Sequence, residues 1–102
     1  MHDAVFRALA DSTRRRVLEL LTERDLTAGE IAEHFPMAFS SVSHHLAILK
    51  STHLVVTQRE GQFIRYRLNA AVFQEVVDYF VRRFAGSKQE PLRGGLAVRA
   101  FR

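Results

Sequence analysis

The stretch SSVSHHLAILK, residues 40–50, decides how the chain folds. Val42, Leu46 and Leu49 recur at i, i+4 and i+7, the spacing of one buried helical stripe. Ser40, Ser43, His44 and Lys50 fall away from that stripe. A short helix anchored by three aliphatics, with small polar groups and imidazoles facing outward, is poor surface for an enzyme cleft and good surface for the edges of bases. The remaining segments are expected to hold this helix and, in a second copy, to set the distance to its twin.

Upstream, Thr27 and Glu30 form a Thr-x-x-Glu capping box, in which two side chains satisfy free amides reciprocally. The box opens a short helix over roughly 28–34, with Ile31 and Phe35 inward. Phe35-Pro36-Met37 then turns the chain, because proline disfavours helical geometry in the residue before it. Two short helices joined by a tight turn, the second apolar on one side, make a helix-turn-helix. Further upstream, residues 3–10 read as a helix with Val5, Phe6 and Leu9 apolar, and 13–24 as a second with Val17, Leu18, Leu20 and Leu21 buried. Asp11-Ser12-Thr13 offers caps between them. Arg14, Arg15 and Arg16 sit in the first turn of the second helix, where the helix dipole disfavours cations. Either a solvated face or a contact to phosphate accounts for them.

Downstream, Val55 and Val56 begin a strand, and Ile64, Tyr66 and Leu68 alternate with Arg65 and Arg67 on a second. Glu60-Gly61-Gln62 supplies the turn. After a helix-turn-helix, such a two-stranded hairpin reads as a wing. Asn69 is placed to cap a final helix over about 70–85. Its apolar positions, Val72, Phe73, Val76, Val77, Phe80, Val81 and Phe84, form a stripe wider than one small domain needs. The surplus is expected to join the apolar first helix in a homodimer. The fold class is mainly α with a β-hairpin: a winged helix-turn-helix of five helices and a two-stranded wing. Residues 1–86 are expected to make the DNA-binding and dimerisation domain, and 87–102, with two glycines, a proline and scattered basic residues, a C-terminal tail in which Leu96-Ala97-Val98 could add a short element.

Length and composition bound the alternatives. The chain has 102 residues, one domain's worth, and Lys plus Arg number 15 against 11 acidic residues, a mild bias towards polyanions. No cysteine is present, which excludes disulfides, thiolate metal sites and a cysteine nucleophile. No apolar run approaches the roughly 18 residues of a membrane span, and the start lacks a signal peptide's apolar core, so membrane insertion is not expected and the cytoplasm is the default location. Ser43 and His44 are helix neighbours, a geometry that does not aim the imidazole at the hydroxyl, and Gly94-Gly95 lacks the strand-helix context of a phosphate loop. No catalytic residue and no cofactor is therefore assigned.

Taken together, DSTRRRVLELL at 11–21, LTAGEIAEHF at 26–35, SSVSHHLAILK at 40–50 and REGQFIRYRLN at 59–69 resemble the ArsR/SmtB-type winged-helix transcriptional repressors, over about residues 3–85. The wing and the bare metal sites are most similar to the family's small autorepressor branch. The resemblance implies a homodimer, joined through the first and last helices, on a pseudo-palindromic operator. The dimer residues it implies are Val5, Phe6, Leu9, Phe73, Val76, Val77, Phe80, Val81 and Phe84. It implies base contacts from Phe39, Ser40, Ser43 and His44.

Three positions depart from the family pattern. Phe39 stands where a polar residue is usual; it either packs on a thymine methyl or folds into the core. Ala38 is a poor cap, so the helix start is expected to cost about 1 kcal/mol or to shift to Ser40. His53 stands where the family has a glycine, and needs a left-handed backbone. The metal sites implied by the family fail residue by residue. Glu30, Ile31, Ala32 and Glu33 replace the thiolates of the third helix, and the last helix has Glu75 and Asp78 but no histidine. His44 and His45, adjacent on a helix, diverge by about 100° and cannot share a metal.

Double-stranded operator DNA is the expected partner. Phosphate contacts are expected from Arg14 to Arg16, Thr27, Lys50, Arg59, Arg65 and Arg67, with Gly61 and Gln62 reaching the neighbouring minor groove. The rival readings are a winged-helix protein-interaction module without DNA binding, and a repressor answering to an unidentified small-molecule or protein inducer.

Overall fold

The computed structural model describes residues 2–85, so the tail boundary and the element expected at Leu96-Ala97-Val98 lie outside the described residues. Its elements are α1 (Asp3–Leu9), α2 (Ser12–Leu21), β1 (Leu26–Thr27), α3 (Ala28–Ala32), α4 (Phe39–Ser51), β2 (Val55–Glu60), β3 (Phe63–Leu68) and α5 (Ala70–Phe84). The five helices and the wing stand where the sequence pattern puts them. One strand was not anticipated. Leu26–Thr27 pairs antiparallel with β3, Leu26 opposite Tyr66 and Thr27 opposite Arg65, so the sheet has three strands in the order β1-β3-β2. Two residues are too few to show an alternation, which is why periodicity misses them.

One apolar cluster holds the helix-turn-helix to the sheet: Ala8, Val17, Leu18, Leu21, Leu26, Ile31, Val42, Leu46, Leu49, Leu54 and Val55 are all buried. The i, i+4, i+7 stripe of α4 is thus its inward face. Phe35 and Met37, flanking Pro36, pack against the same cluster from the turn.

Each junction has an identifiable cause. Asp11 caps α2 by accepting from the Arg14 amide at 3.0 Å. The Thr27 capping box is complete: its hydroxyl accepts from the Glu30 amide at 3.2 Å, and the Glu30 carboxylate from the Thr27 amide at 2.8 Å. α4 begins at Phe39 with Ala38 in the cap position and no side-chain hydrogen bond, so the start does not move to Ser40. The helix ends in a Schellman motif. The His53 amide donates to the Lys50 carbonyl and the Leu54 amide to the Leu49 carbonyl, both at 3.0 Å. His53 takes φ 63°, the left-handed conformation expected of it, while Leu49 and Leu54 make the buried contact that accompanies the motif.

The wing closes through Gly61-Gln62, with Glu60 opposite Phe63 and Gly61 at φ 62°, a conformation that favours glycine. Asn69 does not cap α5 as expected. It occupies the cap position, but its side-chain amide donates to the His53 carbonyl at 2.9 Å and its backbone amide to the Leu54 carbonyl at 3.0 Å. Asn69 thereby ties the start of α5 to the end of α4, and that tie competes with the cap.

Candidate nucleic-acid interface

At about 100° per residue, burying Val42, Leu46 and Leu49 turns Ser40, His44, Ala47 and Ser51 directly outward, with Ser43 on the flank. All five are exposed. Phe39 is 54% exposed, so the alternative in which its ring folds into the core is overturned. Ala47 was not singled out from the sequence. Its signal was its spacing: it continues the row begun by Ser40, Ser43 and His44, and its methyl gives the outward face an apolar spot. Lys50 is exposed on the last turn, roughly 16 Å along the axis from Phe39, and so belongs to a different part of any groove.

The arginines of α2 are placed by a cause that neither sequence reading supplied. Arg14 Nε donates to the Ala8 carbonyl at 2.9 Å and its Nη2 to the Arg7 carbonyl at 3.2 Å. Arg15 donates to the Leu9 carbonyl at 2.8 Å. These carbonyls lie at the C-terminal end of α1, where a helix dipole favours cations; the Arg7 carbonyl also accepts from the Ala10 amide at 3.2 Å. The first turn of α2 tolerates its charges because they serve the end of the preceding helix. Arg16 pairs with Glu19 at 3.2 Å. The third donor of Arg14, Nη1, meets Nδ1 of His45 at 3.1 Å, and the same nitrogen lies 3.7 Å from the Asp11 carboxylate. The Arg14 amide, first, and the nearby His45 and Arg14 side chains hold the Asp11 carboxyl below its usual range.

On the wing, Arg65 and Arg67 share a face and both have carboxylate partners. Arg65 Nε donates to Glu60 at 2.8 Å, with Glu30 4.0 Å from its Nη1, and Arg67 meets Asp25 at 2.9 Å. The hydrogen bond to Glu60 raises the affinity of Arg65 for its proton. Arg59 and Gln62 are exposed at the tip, Arg59 donating to the Gly61 carbonyl at 3.2 Å. Phe63 beside them is also exposed, an aromatic that the sequence reading passed over as a strand residue. Thr27, half-buried at the start of α3, is held by its capping box. The Thr27 amide's bond to Glu30 is the main reason that the Glu30 carboxyl is held below its usual range.

Of the residues expected at a dimer interface, Val76 is buried, and Val5, Leu9 and Phe73 pack against the protomer's own core. Val77, Phe80, Val81 and Phe84 remain exposed, Phe84 at 68%. Phe6 joins them to α1, its ring centroid 5.4 Å from that of Phe80, and Phe80 lies 5.8 Å from Phe84. A continuous apolar wall therefore runs along α5 and onto α1. Among the described residues no helix is long and apolar enough to cross a membrane, and no group of three or more His, Cys, Asp or Glu side chains is placed to hold a metal ion.

A helix-turn-helix whose second helix, α4, carries an exposed row, flanked by a hairpin, defines the winged helix-turn-helix class of regulators. The comparisons carry this to a family. The family model described as "Bacterial regulatory protein, arsR family" matches residues 11–56. The chain is 48% identical over 77 residues to the transcriptional repressor SdpR of Bacillus subtilis, covering 76% of this chain and 86% of that one. It is similar to the solved structure of an ArsR-like transcriptional regulator from Rhodococcus, with a TM-score of 0.78 and 31% identity over 82% of this chain and 77% of that one. It also matches the solution structure of a homodimeric winged helix-turn-helix DNA-binding domain from Mycobacterium bovis, with a TM-score of 0.63 and 29% identity over 83% and 85% of the two chains. The chain belongs to the ArsR family of transcriptional regulators and is not an enzyme.

Proposed function

We propose that this protein is a homodimeric transcriptional repressor that sits on a pseudo-palindromic operator in the cytoplasm and controls its own expression without answering to a metal. The observation that carries the reading is the exposed row Ser40, Ser43, His44 and Ala47 with Phe39, on a helix whose opposite face is wholly buried. That row enters the major groove. Serines and imidazole hydrogen-bond base edges, while Phe39 and Ala47 contact thymine methyl groups. Thr27 and Lys50 meet phosphates on either side of the groove. Arg59 and Gln62 bring the wing to the backbone and minor groove, and Arg65 reaches a phosphate by exchanging its Glu60 partner. Arg14, whose donors are committed within the chain, is left out of the phosphate set.

The dimer forms through the exposed wall of α5 with α1. Burying a large aliphatic or aromatic side chain contributes about 1.5–3 kcal/mol. Val77, Phe80 and Val81 are each about half exposed and Phe84 about two-thirds. Doubled by twofold symmetry, they contribute on the order of 8 kcal/mol, comparable with the roughly 4–15 kcal/mol cost of association. The homodimeric relative supports this mode, and the repressor relative supports the sign of regulation. Independence from metals is supported by the absence of cysteine and by a last helix without histidine.

Selection of bound sequences from random duplex DNA tests the reading. A palindromic motif is expected, and His44→Ala is expected to change the preferred base at one position of each half-site. Recovery of no motif refutes base-specific reading; an unchanged motif in His44→Ala refutes the role of His44 alone.

A further inference from the structure

We propose that Arg14 and His45 are positioning residues that lock the orientation of the recognition helix to the dimer wall, and that the lock requires an unprotonated His45. This rests on the DNA-reading role assigned to α4. The apolar stripe of α4 holds it against the core, but hydrophobic burial is non-directional and tolerates small rotations and slides. Among the described residues, the only side-chain polar contacts from α4 to another element are those of His45, to Arg14 at 3.1 Å and Asp11 at 3.7 Å. The same guanidinium grips the Arg7 and Ala8 carbonyls at the end of α1. Through Phe6 against Tyr79 and Phe80, α1 is part of the wall that carries the second copy. One planar, rigid fork thus fixes the reading helix relative to the surface that sets half-site spacing.

A guanidinium has only donors, so its contact with Nδ1 requires that nitrogen to be an acceptor, with the proton on Nε2. The charged groups around His45 are Arg14 and Asp11 from the start of α2 and, on its own helix, His44, whose ring centroid is 6.1 Å away. α1 contributes only carbonyls to this cluster, by way of Arg14. Protonation removes the acceptor and sets two cations side by side. The Nδ1 proton then turns to Asp11, Arg14 lets go, and the reading helix loses its directional tie. Non-specific attraction to phosphate does not depend on that tie.

The test compares affinity for the selected operator with affinity for scrambled duplex, at pH 7.5 and 5.5, in the full-length protein. In the native protein the operator preference is expected to fall about tenfold on acidification, the loss of one hydrogen bond to a charged group. His45→Ala is expected to show that weakened preference at both pH values. His45→Asn places an acceptor oxygen the same number of bonds from the backbone and does not titrate, so it should restore the preference and abolish its pH dependence. A native preference unaltered by His45→Ala, or a pH dependence that survives in His45→Asn and so belongs to His44, overturns the proposal. Nitrogen NMR gives a readout that needs no DNA: at neutral pH the His45 Nδ1 should be unprotonated, and its signal should move in Arg14→Lys. A protonated Nδ1 refutes the lock even if no operator is found, whereas an absent operator preference in the native protein refutes the reading role and leaves the NMR result to decide the lock.

Discussion

Replacing His53 with glycine should stabilise the protein. His53 holds φ 63° at the end of α4, where the Schellman motif needs a left-handed residue. An L-residue in that conformation costs roughly 1–2 kcal/mol, and glycine avoids it. The gain is offset by the greater freedom of glycine in the unfolded chain, about 0.4–1 kcal/mol. Nothing else is lost. The His53 side chain is exposed, and its partners, the Lys50 carbonyl at 3.0 Å and the Asn69 amide at 2.9 Å, use backbone atoms that glycine retains. The net gain is about 0.5–1 kcal/mol, which raises the midpoint by roughly 2–8 °C in a domain of this size. Thermal unfolding should be followed at several concentrations, because association contributes to the apparent stability of a dimer. His53→Val is the opposing control and should destabilise, since a β-branched residue resists the left-handed region. An unchanged or lowered midpoint in His53→Gly, at matched concentration, refutes the claim that strain is stored at this turn.

Other substitutions probe other junctions. Ala38→Ser supplies the missing cap of α4 and should add about 1 kcal/mol to stability by urea titration. Thr27→Ala removes one arm of the capping box and should cost about 1 kcal/mol by the same assay. The carboxyls of Asp11 and Glu30 are both held below their usual ranges by backbone amides. A folded value below the unfolded one gives stability that is complete above the unfolded value and is lost as pH falls towards the folded one. Acid unfolding should therefore set in below about pH 4, and Asp11→Asn with Glu30→Gln should flatten that limb of the pH profile. Phe80→Glu places a charge in the apolar wall and should give a monomer by analytical ultracentrifugation at micromolar concentration; a surviving dimer would move the interface elsewhere.

Much of the architecture was legible because it rests on repeated local patterns. Val42, Leu46 and Leu49 gave the inward face of α4, Ile64, Tyr66 and Leu68 gave β3, and Thr27 with Glu30 marked the start of α3. His53 was readable as a left-handed position only through the resemblance, because the family has a glycine there. What escaped the sequence depends on pairing at a distance. β1 is defined by Leu26 meeting Tyr66, forty residues away, and no local alternation announces it. Arg14 and Arg15 conflict with their own helix and make sense only once the end of α1 lies beside them. Asn69 could have capped α5 on local grounds, but the His53 carbonyl competes for its side chain. The candidate reading face was legible as a row, although Ala47 and Phe63 were passed over because apolar residues are ordinarily assigned to a core.

In the proposed dimer, two copies hold two reading helices one helical turn apart on DNA, roughly 34 Å. The direct measurement is the stoichiometry and affinity of the protein on its selected operator, across salt concentrations and with five or ten base pairs inserted between the half-sites. Two chains per duplex are expected, with affinity falling steeply with salt as phosphate contacts are screened, and near-complete loss of preference when five inserted pairs turn one half-site to the opposite face. One chain per site, affinity indifferent to salt, or affinity indifferent to the five-pair insertion would contradict this arrangement.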